Sequence, residues 1–276
     1  MTILVTGATG NVGGEVVRAV AAAGGKPRAL VRNENRPVFQ GAEVAVGDLN
    51  DPSSMAAALE GITGAFVLSG YADMTGLLAA IRDAGAKRVV QLSGGSAGLD
   101  NLDNAVTAYM ARSEQAVRAS GVPYTILRPS AFMSNTFEWT SQLAESDTVR
   151  AAFPDVAAAV IDPADIAAVA AAALVGGGHE GQTYRLTGPG ALLPADRARI
   201  LGEVLGRDIS FVGLTNEQAR EEMTAAMPVE YVNAFFNFYV EGALDESPVL
   251  PTVSDILGRP PRTFRDWCTT HAAAFQ

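Results

Sequence analysis

The chain has 276 residues, of which 48% are hydrophobic and 18% charged, with a formal net charge of -10. That length can bury a large core in one domain or two, and the acidic balance excludes a nucleic-acid or anionic-membrane partner, because phosphate surfaces are held by clustered Lys and Arg. A single cysteine, Cys268, rules out an internal disulfide and reads as a small packing residue beside Trp267.

In chain order, Met1 leads directly into a short apolar strand, so no secretory leader is expected and a cytoplasmic location is. The strand runs into Thr6-Gly-Ala-Thr-Gly-Asn-Val-Gly13, and the residues from Glu15 to Ala23 carry apolar side chains at helical spacing. A strand, a glycine-rich turn and a helix start form the setting of a dinucleotide loop. The first glycine permits a sharp turn, the middle one lets main chain approach a pyrophosphate, and the last lets helix pack on strand. Amides of the first helical turn then face an anion. Thr6, Gly7, Thr9, Gly10, Asn11, Val12 and Gly13 are therefore expected to bind the cofactor.

Further strands are predicted at 26–31, 43–47, 65–69, 88–93 and 124–128, with helices between them. Asp51 and Pro52 start one helix and Gly61 closes it; residues 73–84 form the next, stopped by Gly85. The apolar window 156–175 is interrupted by Asp162, Pro163 and Asp165, which excludes a bilayer span and marks a helix capped by both carboxylates. Gly176 ends that helix, and residues 184–187 read as another strand. Helices follow at 194–205, 216–226 and 229–242. The last holds Tyr231, Phe235, Phe236, Phe238 and Tyr239, in a chain that is only 7% aromatic. Such a helix either wedges between two layers or walls an apolar pocket. The expected fold is α/β: a Rossmann-like doubly wound parallel sheet over 1–150, with a smaller, mainly helical substrate-binding region over 151–276, some of whose strands return to the main sheet.

The segments Thr6–Gly13, Leu30-Val-Arg-Asn33, Gly47-Asp-Leu-Asn50, Ser120-Gly-Val-Pro-Tyr-Thr-Ile-Leu-Arg-Pro129, Phe132-Met-Ser-Asn135, Asp162-Pro-Ala-Asp-Ile-Ala167 and Tyr184-Arg-Leu-Thr-Gly188 span nearly the whole chain. In these motifs the sequence resembles the NmrA-like atypical short-chain dehydrogenase/reductases, within them the quinone reductase and azoreductase-like subgroup. The resemblance implies a dinucleotide across the carboxyl ends of the strands, with Asp48 and Leu49 against the adenine ring and Phe132 and Asn135 near the nicotinamide. Asp48 also reads as a cap for the following helix. Where an acidic residue would bind the ribose of NAD, the second strand ends in Arg32, whose guanidinium suits a 2′-phosphate. NADP(H) is expected in preference to NAD(H). Arg28 shares the strand face of Arg32 and either assists it or is solvated. Ser69 and Gly70 end the fourth strand, where small residues let the cofactor backbone pass.

In the superfamily a Tyr-x-x-x-Lys pair supplies the proton. Those positions fall on Val106 and Met110, neither of which transfers one. Tyr109 lies next door without a lysine four residues on, so Tyr109 and Ser93, at the superfamily's serine position, are the catalytic candidates; Ser93, whose hydroxyl can bond a substrate carbonyl or the nicotinamide amide, is also expected to bind the cofactor. Glu114 caps, pairs with Arg118, or orients a substrate. A complete cofactor loop without the dyad suits hydride transfer to a quinone or other conjugated carbonyl compound, whose product anion solvent can protonate. Phe132, Asn135, Phe235 and Tyr239 are the candidate substrate walls, for a small hydrophobic or aromatic molecule. The alternative is a non-catalytic NADP(H) sensor acting through a protein partner. His179 and His271 lie far apart and no serine-elbow motif is present, so neither a metal nor a hydrolase triad is expected. Monomer and homodimer both stay open.

Overall fold

The computed structural model describes residues 1–33, 41–99 and 101–276. Its first half alternates strand and helix: β1 (Thr2–Val5), α1 (Asn11–Ala22), β2 (Lys26–Val31), β3 (Glu43–Val46), α2 (Ala56–Leu59) and β4 (Gly64–Leu68). Then come α3 (Met74–Asp83), β5 (Val89–Leu92), α4 (Ala105–Ala119), β6 (Tyr124–Pro129), α5 (Thr140–Glu145) and β7 (Thr148–Ala151). The rest comprises α6 (Pro163–Val175), β8 (Gln182–Leu186), α7 (Pro194–Leu205), β9 (Ser210–Gly213), α8 (Asn216–Ala226), α9 (Val229–Tyr239), α10 (Thr252–Leu257) and α11 (Phe264–His271).

Seven strands pair in parallel in the order β3-β2-β1-β4-β5-β6-β8. The inner strands are continuous apolar runs because both faces are covered. Ile3, Val5, Phe66, Val90 and Leu127 face α1 and α6, while Leu4, Val67, Val89 and Ile126 face α2, α3 and α4. α6 is alanine-rich and buried almost all round, which lets it lie close against both the sheet and α1. At one edge of the sheet, β3 leaves Val44 and Val46 exposed.

β8 joins the main sheet beside β6, in register Thr125↔Gln182. The strands β7 and β9 were not legible in the sequence. They pair in parallel as a separate ribbon, Thr148↔Ser210, and with α5, α7 and α11 enclose a core of Trp139, Leu201, Phe264 and Trp267. Cys268 is fully buried there and its thiol is pushed up to about 12 by desolvation, consistent with a packing role.

Local chemistry explains two departures from the predicted elements. The helix expected from Asp51 is a 3-10 turn, Pro52–Met55, followed by the single α-turn of α2, since Ser54 Oγ bonds back to the Asp51 carbonyl at 2.7 Å. Asp165, expected to cap α6 together with Asp162, does not: Asp162 accepts from the Ala164 amide at 2.8 Å, whereas Asp165 is buried and accepts from Arg259 Nη2 (2.8 Å) and the Arg262 amide (2.6 Å). It ties the C-terminal segment onto the sheet layer.

Candidate active site

In the sheet the strand order reverses between β1 and β4, which opens a crevice at their carboxyl ends. The glycine loop leaves β1 there. Gly7 has φ 62°, and a Cβ on it would lie 2.7 Å from Leu68 Cδ1. A Cβ on Gly13 would lie 2.1 Å from the Gly7 carbonyl oxygen, which also accepts the Gly10 amide at 2.9 Å. Helix and loop thus touch backbone to backbone. α1 has Gly10 at its N-cap, with no side-chain cap and no acidic residue in its first turn, so the amides of Asn11, Val12 and Gly13 have no intrahelical acceptor and keep their positive end for an anion. Thr6 is buried and its hydroxyl accepts from Tyr71 Oη at 3.2 Å, while Thr9 and Asn11 stand exposed beside the loop. A cradle of this kind fits a pyrophosphate.

β2 runs beside β1, Val5↔Ala29, so Arg32 emerges next to the loop, exposed and without an ion pair among the described residues. Arg28 neither assists it nor is solvated. Its guanidinium is buried, donates to the carbonyls of Ala58 (2.9 Å) and Glu60 (2.6 Å), and pairs with Glu43 across the strands at 3.1 Å. Open carbonyls at a helix end attract a cation, and that draws Arg28 to the end of α2. Asp48 does not cap the next helix either: Asp51 does, and Asp48 Oδ1 instead accepts the Asn50 amide at 2.9 Å. Leu49 is half-buried against the α2 side of the core. Ser69 Oγ donates to the Leu92 carbonyl (3.0 Å) and accepts from Gln91 Nε2 (2.9 Å), and the Gly70 amide donates to Ser113 Oγ (3.0 Å).

Beyond the ends of β5 and β6 lies a cavity of about 440 Å³. It gathers Ser93, Tyr109, Phe132, Asn135, Phe235 and Tyr239, six residues that sequence reasoning assigns separately to catalysis and substrate binding. Val106 and Met110 face it too. The aromatic helix α9 divides its rings. Tyr231, Phe235, Phe238 and Tyr239 line the cavity, whereas Phe236 turns into the core under α8. No lysine or arginine lines the cavity among the described residues, and the one carboxylic acid that does is Glu246.

Ser93 Oγ donates to Glu114 Oε1 at 2.7 Å. Glu114, with a side chain only 4% exposed, also receives a two-pronged bond from Arg128, Nε at 2.8 Å and Nη2 at 2.7 Å, and a longer one from Arg118 at 3.4 Å. The expected Arg118 pair is thus the weaker contact, and the partner that fixes Glu114 is the arginine of the Leu-Arg-Pro segment. Tyr109 has Tyr231 as its neighbour, and burial pushes its phenol above the usual range.

Tyr239 Oη donates to Glu246 Oε2 at 2.7 Å. Desolvation, reinforced by the carboxyl group, pushes the Tyr239 phenol strongly up, and desolvation likewise raises the Glu246 carboxyl. Phe153, a bulky residue at φ 54°, packs its ring on Phe236 and Tyr239 at 5.3 and 5.1 Å. Such strain persists where surrounding structure enforces it. Glu246 went unseen in the sequence because Leu244-Asp-Glu-Ser-Pro248 has no periodicity and reads as a polar loop.

A model of the NmrA-like family matches residues 1–257. The chain belongs to that family. It is 39% identical over 281 residues to the (4-alkanoyl-5-oxo-2,5-dihydrofuran-3-yl)methyl phosphate reductase of Streptomyces griseus subsp. griseus, covering 99% of each chain. It is 35% identical over 283 residues to the NAD(P)H azoreductase of Xenophilus azovorans, again covering 99% of each. Among solved structures, an NADPH-dependent quinone oxidoreductase from Escherichia coli, complexed with NADPH, superposes with a TM-score of 0.78 at 22% identity over 98% of this chain and 99% of that one, a likeness of fold. Among the described residues of this NmrA-like chain, no helix is long and apolar enough to cross a membrane and no cluster of three metal-ligating side chains occurs.

Proposed function

We propose that this protein is an NADPH-dependent reductase that delivers a hydride to a neutral conjugated acceptor, a quinone or other conjugated carbonyl compound. The observation that carries the reading is the aromatic cavity at the ends of β5 and β6, on the same sheet edge as the uncapped glycine loop. Its phenyl and phenol rings suit a flat apolar molecule, and the lack of a lining cation favours an uncharged one. Family relatives support the reaction class alone: the Streptomyces enzyme is named a reductase of a methyl phosphate whose ring alkene is conjugated to a carbonyl, and the Xenophilus enzyme an NAD(P)H azoreductase, so the uncharged acceptor rests on the cavity lining.

The glycine loop and the first-turn amides of α1 would hold the pyrophosphate, Arg32 the 2′-phosphate, and Phe132 with Asn135 the nicotinamide end. When bound, the reduced nicotinamide supplies the hydride. Phe235, Phe238 and Tyr231 hold the acceptor flat and keep water from the transfer path, so alignment rather than a lowered phenol pKa provides the rate. Val106 and Met110 stand where the usual Tyr-Lys pair would be, and Tyr109, with its raised phenol, does not replace it. A panel of quinones, azo dyes and enones tests the reading: NADPH oxidation above background is expected for at least one class. Tight NADPH binding with no oxidation by any of them would overturn it and leave a dinucleotide sensor.

A further inference from the structure

We propose that Glu246 is the proton donor of this active site, held by Tyr239, and that it protonates the anion left when a conjugated acceptor takes a hydride. The inference rests on the reductase reading above and names the acid that reading leaves to solvent.

The cavity offers few groups able to give up a proton. Ser93 commits its hydroxyl proton to Glu114, and Tyr239 commits its own to Glu246 Oε2. Ser130 gives its hydroxyl proton to the Ala159 carbonyl and Ser96 turns its own to Met110 Sδ. Tyr109 is a buried phenol with a raised pKa, Tyr231 is also a phenol, a far weaker class of acid than a carboxyl, and Asn135 does not ionise. Glu246 remains, 7% exposed as a residue yet on the cavity wall. Its loop is pinned from behind, with the Ala159 amide donating to the Glu246 carbonyl at 2.7 Å and the Leu250 amide to Thr187 Oγ1 at 2.9 Å. The groups that face the carboxyl are the Tyr239 phenol of α9, the Ala131 amide after β6 and the Arg185 guanidinium of β8; Arg197 of α7 acts on it only through Tyr239. Burial outweighs these partners and raises the carboxyl above its ordinary value, the direction a proton donor needs. Because Oε2 accepts the Tyr239 hydroxyl, we place the transferable proton on Oε1.

The step balances. The acceptor gains a hydride at the carbon conjugated to its carbonyl, and the displaced electron pair moves to the carbonyl oxygen. The Oε1–H bond of Glu246 then breaks as a new bond to hydrogen forms on that anion, and solvent restores the carboxyl proton afterwards. A quinone needs this less than an enone, because a hydroquinone anion is far less basic than an enolate.

Full-length protein carrying Glu246→Gln or Tyr239→Phe, assayed with NADPH against menadione and cyclohexenone, tests the proposal. In the Gln variant, turnover of cyclohexenone should fall about 10²-fold or more, that of menadione by less than about tenfold. The decline of cyclohexenone turnover with rising pH should disappear with the carboxyl. Tyr239→Phe should keep that pH decline and shift it. Independently of turnover, the infrared band of a protonated carboxylic acid should be present at neutral pH in the wild type and missing from the Gln variant, with NADPH affinity unchanged in both variants. Equal losses on the two acceptors, or no carboxylic acid band in the wild type, would overturn the assignment while leaving the reductase reading intact. Wild-type protein that oxidises NADPH with neither acceptor, nor with any of the wider panel, would overturn both.

Discussion

Gly13→Ala tests whether the glycine loop is a tight cradle or an ordinary turn. The added Cβ would sit 2.1 Å from the Gly7 carbonyl oxygen and 2.5 Å from its carbonyl carbon, where 3.0 Å is the shortest separation that real Cβ atoms show. Loop and helix must therefore part by about 0.9 Å, and no side chain can turn aside to absorb it because every close atom is backbone. Overpacking of this kind costs about 1–3 kcal/mol, or roughly 2–12 °C in Tm for a chain of this size. The displaced loop also presents its amides wrongly. Losing one charge-assisted bond to a phosphate, about 1.5–3 kcal/mol, weakens NADPH binding roughly ten- to hundredfold. Fluorescence titration of NADPH beside thermal denaturation measures both effects, with Gly177→Ala as the control, since its Cβ would meet no atom within 4 Å. A Gly13→Ala protein with unchanged Tm and an NADPH Kd within about twofold of wild type would refute the tight packing and the cradle built on it.

Arg32→Asp should weaken NADPH roughly ten- to hundredfold and NADH far less, in parallel titrations; equal losses would remove the 2′-phosphate assignment. Arg128→Met strips the two-pronged partner from a buried carboxylate and should lower unfolding free energy by about 3–5 kcal/mol in urea. A loss below about 1 kcal/mol would mean that Arg118 or water takes over. The raised Glu246 carboxyl also predicts a pH effect on stability. Its folded-state pKa lies above the ordinary 4.5, so the stability it contributes is full below that value and is lost as pH rises through the folded value. Glu246→Gln lacks this titration, and its Tm relative to wild type should climb as pH is raised from acidic to alkaline; a falling difference would contradict a raised carboxyl.

The parallel sheet was readable because its strands are apolar runs punctuated by glycine and by Asp-Pro and Asp caps, signals that lie within a few residues of the element they mark. The C-terminal helices α7 and α8 follow the predicted bounds for the same reason. α9 stops at Tyr239 because Gly242, at φ 74°, turns the chain after it. What escaped depends on distant partners. Nothing local distinguishes Arg28, which is drawn to the end of α2, from Arg32, which stays exposed, and nothing local sends Asp165 to Arg259 instead of a helix cap. β7 and β9 are four residues each, visible only as a pair. The candidate site divides likewise: the motif residues and aromatic rings were legible, whereas the Ser93–Glu114–Arg128 and Tyr239–Glu246 links are created by the fold.

The packing of α1 against α6 has a consequence for how the protein is made. The apolar stripe of α1, Val12, Val16, Val17 and Val20, is covered by a helix that ends only at Val175. At ribosomal rates of about 5–20 residues per second, the helix that follows the glycine loop waits roughly 8–30 s for its cover. Through that interval its valines are exposed to any other apolar surface nearby. A growing chain of this kind has its glycine loop long before that loop is backed by a finished core, and its period of greatest exposure to chaperones and to aggregation closes with the arrival of α6, not with completion of the first strands.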